Sequence, residues 1–178
     1  MNDGNSRIVW HGRPWQMRAV TERLPNGQTM ERAFIDHPGA VVLVPVQQTA
    51  VGFNVLMLRQ YRAALGETIL ELPAGTRGWD EKWLTCAQRE LREETGFRAA
   101  SLIYLGEIWP SPGVSNEQMR LYMAAGLEPD PLPADADEEI SVQPMPLPEL
   151  LEMARNGRIH DAKSIIGLWW AAEYFSNQ

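Results

Sequence analysis

A mixed α/β sandwich (α+β in strand arrangement) is the fold class that this sequence predicts. Three observations carry it. The β-branched run Val41-Val42-Leu43-Val44 suits a buried strand and follows a break at His37-Pro38-Gly39. A helical pattern comes after the strands, with Asp80 placed to cap its start and Gly96 to stop it. More strands and then two helical stretches complete an order of strands, helix, strands, helices.

The elements follow from local patterns. The first forty residues read as extended, with Gln16 to Arg23 and Thr29 to Asp36 flanking Pro25-Asn26-Gly27. Asn-Gly is a strong hairpin signal, so these two form an N-terminal β-hairpin extension. Val55 to Tyr61 is a second core strand and Thr68 to Leu72 a third, ended by Pro73-Ala74-Gly75. In the helix beyond, Leu84, Ala87 and Leu91 share one face at helical spacing. Ser101 to Trp109 and Arg120 to Met123 are further strands, and Pro129, Pro131 and Pro133 mark an exposed acidic loop. A short helix covers Glu149 to Arg155, and a last one runs from Ala162 to about Tyr174.

Composition bounds the function. A chain of 178 residues, 44% hydrophobic and 22% charged, fits one globular domain with a real core. The longest apolar run, Ala40 to Val46, is too short to cross a bilayer. The start, Met1 to Arg7, lacks the apolar stretch of a signal peptide, and the single cysteine, Cys86, allows no internal disulfide. The expected compartment is therefore the cytoplasm. A net charge of −7 argues against non-specific nucleic-acid binding. An anionic substrate would need local arginines or a bound metal to overcome that charge.

The stretch that carries chemistry runs from Gly75 to Phe97. It reads Gly75, five residues, Glu81, seven residues, then Arg89-Glu90-Leu91-Arg92-Glu93-Glu94-Thr95-Gly96-Phe97. At about 100° per residue, Glu90, Glu93 and Glu94 occupy one face of the helix, beside the apolar stripe. Clustered carboxylates repel one another unless a cation joins them. Oxygen ligands favour a hard ion, Mg²⁺ or Mn²⁺, which binds substrate phosphates. Glutamates on a helix are commonly no more than a solvated face. However, seven fixed identities with a background near 7% each coincide on the order of once in 10⁸ start positions.

This stretch resembles the Nudix box at every fixed position. Phe97 is the one soft departure, standing where the family usually has an aliphatic residue. The resemblance implies a mixed β-sheet between helices, with the box (75–97) as loop-helix-loop. It implies metal-dependent hydrolysis of a nucleoside diphosphate linked to another group. By the family pattern Glu90 and Glu94 are metal ligands, Glu93 is a third, and the Ala74 carbonyl completes the shell. Arg89 and Glu81 resemble structural partners, and Gly75 serves close backbone approach.

Flanking features are similar to the ADP-ribose pyrophosphatase branch. Pro112 lies fifteen residues past Phe97, within Ser111-Pro112-Gly113-Val114-Ser115-Asn116-Glu117. Leu58-Arg59-Gln60-Tyr61-Arg62 precedes Glu71-Leu72-Pro73-Ala74-Gly75, and a hairpin leads into His37-Pro38-Gly39. The branch resemblance implies a nucleoside diphosphate sugar as substrate, with ADP-ribose the leading candidate. GDP-mannose-type hydrolysis and a non-catalytic ADP-ribose sensor are the alternatives. It implies that Glu117 activates water or orders its loop, that Arg32 and Pro112 lie near the substrate, and that Trp15 contacts adenine. Arg62 is either a substrate contact or a surface charge at a strand end. Residues 1–39 are expected to build a homodimer, because isolated strands need a sheet to pair with. Trp169, Trp170 and Tyr174 are expected to pack, and Cys86 to be a buried small residue. His11, His37 and His160 show no metal-ligand spacing.

Overall fold

The computed structural model describes residues 6–133 and 140–177. The first five residues and most of the expected acidic loop, 134–139, lie outside the described residues. Strands β1 (Ser6–His11), β2 (Gln16–Arg23) and β3 (Thr29–Asp36) form a three-stranded antiparallel sheet. The β2–β3 hairpin has the expected bounds, with Gly27 at φ +84° in its turn.

A second sheet holds seven strands. Along it lie β4 (Ala40–Thr49), β5 (Gly52–Arg62), β8 (Phe97–Ile108), β9 (Met119–Pro129) and β10 (Ile140–Pro146), in the order β10-β5-β4-β9-β8. Two short strands complete it: β6 (Glu67–Glu71) pairs with β5 and β7 (Ala74–Thr76) with β4. The β4–β9 pair is parallel and the others are antiparallel, so the sheet is mixed. Helix α1 (Trp83–Thr95) packs on one face, and α2 (Leu147–Arg155) and α3 (Ala162–Ser176) pack on the other.

The period of two explains both layers. Val42, Val44 and Val46 of β4, with Leu121 and Met123 of β9, face the core under α2 and α3. The alternate residues Val41, Leu43, Tyr122 and Ala124 face Cys86, Ala87 and Leu91 of α1. Burial on both faces is why β4 reads as a continuous apolar run. Trp170 and Tyr174 pack against the α2/α3 core, as expected, while Trp169 is 42% exposed beneath the Arg155 guanidinium.

Three local expectations need correction. Asp80 does not cap α1. The residue before the helix is Lys82, with no side-chain capping bond, because Arg77 ties the loop down first. Its guanidinium donates to the carbonyls of Pro38 and Glu81 at 2.6 Å each, which delays helix entry. Leu84 is 55% exposed on an open cleft with Tyr104, and Cys86 takes its expected place in the buried stripe. Finally, β10 is a strand that the pattern does not announce. Pro144 and Pro146 weaken it on paper, yet it pairs on the edge side of β5, where prolines are tolerated.

Candidate active site

The site begins where β7 meets α1. Pairing with β4 fixes the Ala74-Gly75 backbone, Val41 opposite Gly75 and Val42 opposite Ala74. The Gly96 C-cap, at φ +78° with its N–H donated to the Arg92 carbonyl, ends α1 and turns the chain into β8. Glu90 and Glu94 are thereby buried at 8% and 7% exposure beside that backbone. The Ala74 N–H donates to Glu94 Oε2 at 2.9 Å. A Cβ at position 75 would lie 1.9 Å from the Glu90 carboxyl carbon, so only glycine admits that carboxylate.

Arg89 organises the rest of the box. It donates to Glu81 at 2.9 and 3.0 Å and to Glu93 at 2.8 Å, and it pairs with Glu90 at 2.6 Å. The Arg89 bond holds the Glu81 carboxyl below its usual range, and Glu81 also accepts from the Gly78 N–H. Arg89 and Glu81 therefore act as internal struts. With Arg89 among these acids, no three His, Cys, Asp or Glu side chains of the described residues already meet at metal-holding spacing.

The donor set nevertheless fits a hard divalent cation. It offers oxygens: two buried carboxylates from adjacent turns of α1, that of Glu90 seated where Gly75 has no side chain, beside the Ala74-Gly75 backbone. Glu93, the third expected ligand, is held at Arg89.

A buried charged cluster flanks this pair. Glu71, 1% exposed, accepts from Arg62 at 2.8 and 2.9 Å and from Lys163 Nζ at 2.6 Å. Lys163 also donates to Asp161, the N-cap of α3, at 2.9 Å. Burial disfavours the Arg62 charge, but the bonds to Glu71 outweigh it and raise its pKa. Arg62 is thus a paired guanidinium at the end of β5 rather than a free surface charge.

The loop after β8 carries the other candidate acid, Glu117. Pro112 lies on an exposed turn closed by Val114 and Ser115 N–H bonds to the Ser111 carbonyl. The next residues are pinned to the end of β3: Ile35 N–H donates to the Val114 carbonyl and Asn116 N–H to the Ile35 carbonyl, at 2.8 and 3.1 Å. Glu117 then lies with Oε1 3.7 Å from His37 Nε2. His37 Nδ1 accepts the Gly39 N–H, so the ring proton is on Nε2, facing Glu117. Burial lowers the His37 pKa and raises that of Glu117, so this is no strong ion pair.

Arg32 and Trp15 stand apart from α1 in sequence and sheet. Arg32 is exposed on β3 and pairs with Glu22 at 3.4 Å. Trp15, just before β2, rests its ring 4.8 Å from that of Trp10. One contact ties this region to the box loop: Trp79 Nε1 donates to the Pro14 carbonyl at 3.2 Å.

Asp36 is a buried acid bonded to the candidate loop, and the sequence patterns miss it. Its buried carboxylate accepts from Gln16, Arg18 and Asn116. Burial opposes its ionisation, but those bonds prevail and its pKa is lowered. The folded carboxyl therefore titrates below the unfolded one. Its stabilisation is complete at neutral pH and fades as pH falls through about 4 and below. Urea midpoints at pH 7 and pH 3.5 should show the deficit of Asp36→Asn against the parent shrinking in acid. A deficit that widens in acid would reverse this assignment.

Comparison with known proteins agrees with the geometry. The family model described as NUDIX domain matches residues 36–166. The methanol dehydrogenase activator of Bacillus methanolicus is 34% identical over 162 residues, 90% of this chain and 86% of that protein. The ADP-ribose pyrophosphatase of Bacillus subtilis is 30% identical over 158 residues, 88% and 84% of the two chains. A crystal structure of an ADP compounds hydrolase superposes with a TM-score of 0.82 at 22% identity, covering 98% of this chain and 93% of the other. From box, fold and relatives together, this chain belongs to the Nudix family of hydrolases.

Proposed function

We propose that the chain hydrolyses the diphosphate link of a nucleoside diphosphate sugar, ADP-ribose first among them, to give AMP and ribose 5-phosphate. The observation that supports this best is the buried Glu90–Glu94 pair against the Ala74-Gly75 backbone. It stands in a chain similar over most of its length to an ADP-ribose pyrophosphatase. Glu90, Glu94 and the Ala74 carbonyl would hold Mg²⁺, or Mn²⁺, with Glu93 as a third carboxylate. Such a cation, when bound, neutralises diphosphate charge and favours attack on phosphorus.

The chain's own groups supply the rest. Glu117 accepts the proton of the attacking water while the bridging P–O bond breaks, or else orders its loop for that step. Arg62 offers its remaining Nη1 edge to a phosphate oxygen, and Arg32 offers a second guanidinium. Pro112 shapes the turn beside the substrate, and Trp15 stacks on the base. The test is a panel of ADP-ribose, GDP-mannose and other sugar nucleotides with Mg²⁺ and with a chelator. Fastest turnover of ADP-ribose, abolished by chelation, is expected; preference for GDP-mannose would move the chain to the rival substrate class.

The proposed assembly is a cytoplasmic homodimer in which residues 1–39 reach the partner's active site. Ile8, Trp10, Met17 and Met30 of the three-stranded sheet are 38–50% exposed in the single chain and offer apolar surface for a second copy to cover. Light scattering should give twice the mass of one chain. A fully active monomer would remove the idea.

A further inference from the structure

We propose that Asn116, held by Asp36, is the positioning residue for Glu117, so that strand β2 is part of the catalytic machinery. This rests on the reading of Glu117 as the group that serves the attacking water. The geometry is a continuous chain of bonds from the N-terminal sheet to the acid. Gln16 Nε2 and Arg18 Nε, both on β2, donate to Asp36 Oδ2 at 2.9 Å each. Asn116 Nδ2 donates to the other oxygen, Asp36 Oδ1, at 2.8 Å. Asn116 Oδ1 accepts the His37 N–H at 2.8 Å, so both ends of the amide are engaged. The backbone of the same residue is bonded to Ile35, and the Ala40 N–H donates to the Gln118 carbonyl at 2.9 Å.

Glu117 lies between these anchors, one residue from each. Its own N–H donates to Ser115 Oγ at 3.0 Å. Among the described residues its carboxylate makes no such short bond and has the His37 edge at 3.7 Å. The backbone on either side is therefore fixed while the acid stays unclamped, as a group that exchanges protons with a substrate water requires. Asp36 is buried and the network lies on the chain's path into β4, whose first residues, Ala40 to Val42, pair with Ala74 to Thr76 at the start of the box. A loop acid with no role would not need two long-range anchors, 79 and 80 residues distant in sequence.

The hydrogen-bond pattern permits a reciprocal swap. In Asn116→Asp two carboxylates face each other, and in Asp36→Asn two amide donors do. In the double variant an amide at 36 donates to a carboxylate at 116, which still accepts the His37 N–H, and every partner is satisfied again. A displacement of about 1 Å in a catalytic group can cost on the order of 10²-fold. The full-length protein with Mg²⁺ and ADP-ribose, or the best substrate of the panel, gives the readout. Each single variant is expected to lower kcat by at least about tenfold with little change in KM, and the double variant to recover to within about threefold. In a Glu117→Gln background, Asn116→Asp should cost nothing further, because the group it positions is gone.

A structural role alone would lower the melting temperature and leave kcat of the folded fraction unchanged. If Glu117→Gln loses kcat but Asn116→Asp keeps it, Asn116 positions nothing and only this inference fails. If Glu117→Gln keeps full kcat, the reading of Glu117 fails and takes the inference with it. Failure of the double variant to recover, with the protein folded by circular dichroism, also overturns it.

Discussion

Glu94→Gln and Glu90→Gln are each expected to lose nearly all metal-dependent turnover, together with metal affinity. One substitution removes both an oxygen ligand and a negative charge, while the size of the side chain is kept. The burial of both groups sharpens the effect. At 7–8% exposure, water cannot take the place of the missing carboxylate charge. Glu94→Gln carries a second consequence, since Glu94 also accepts the Ala74 N–H and so fixes the backbone whose carbonyl completes the proposed shell. Mg²⁺ binding the folded state alone should raise the parent's melting temperature, by an amount that follows RT ln(1 + [L]/Kd). That rise should nearly vanish in Glu94→Gln. An equal rise in parent and variant would put the metal elsewhere in the molecule.

Glu117→Gln is expected to differ in kind. Metal affinity and KM should stay near the parent's, while kcat falls by about 10²–10⁴-fold, the usual worth of a general base. The separation follows from position: Glu117 comes from the loop before β9, whereas the box acids come from α1. Its surroundings point the same way, since burial raises its pKa and makes it a better proton acceptor than an exposed glutamate. Nearly full kcat in this variant would leave water activation to the box acids and the metal.

Much of the fold is legible in the sequence, for reasons that can be named. Val41 to Val44 announces a strand because both of its faces are buried, by α1 on one side and α3 on the other. The Asn26-Gly27 turn fixes the β2–β3 register residue by residue. The box is legible because its seven identities sit at spacings set by one helix and the loop before it. The start of α1 is less so, because Arg77 reaches back to Pro38, a contact 39 residues away that no local capping rule contains. β10 is obscured by prolines that only its place on the sheet edge excuses.

The same division runs through the site. Glu90 and Glu94 can be found because helical spacing puts them on one face and the resemblance to the box marks them. Asp36 and Asn116 cannot, because neither has a local pattern and their bond spans 80 residues. Arg62 and Glu71 are brought together by the β5–β6 pairing, and the third member of their cluster, Lys163, lies 92 residues beyond Glu71. Long-range polar pairing is the part of a site that periodicity and spacing leave unwritten. A faint signal did exist in the placement of Asn116 directly before a candidate acid.

The most direct measurement is turnover of ADP-ribose with Mg²⁺ in ¹⁸O-labelled water, read by mass spectrometry. Hydrolysis at the diphosphate link should give AMP and ribose 5-phosphate, with one solvent oxygen in one of the two phosphates and none in the other. ADP and free ribose, or products lacking solvent oxygen on phosphorus, would contradict diphosphate cleavage by this site.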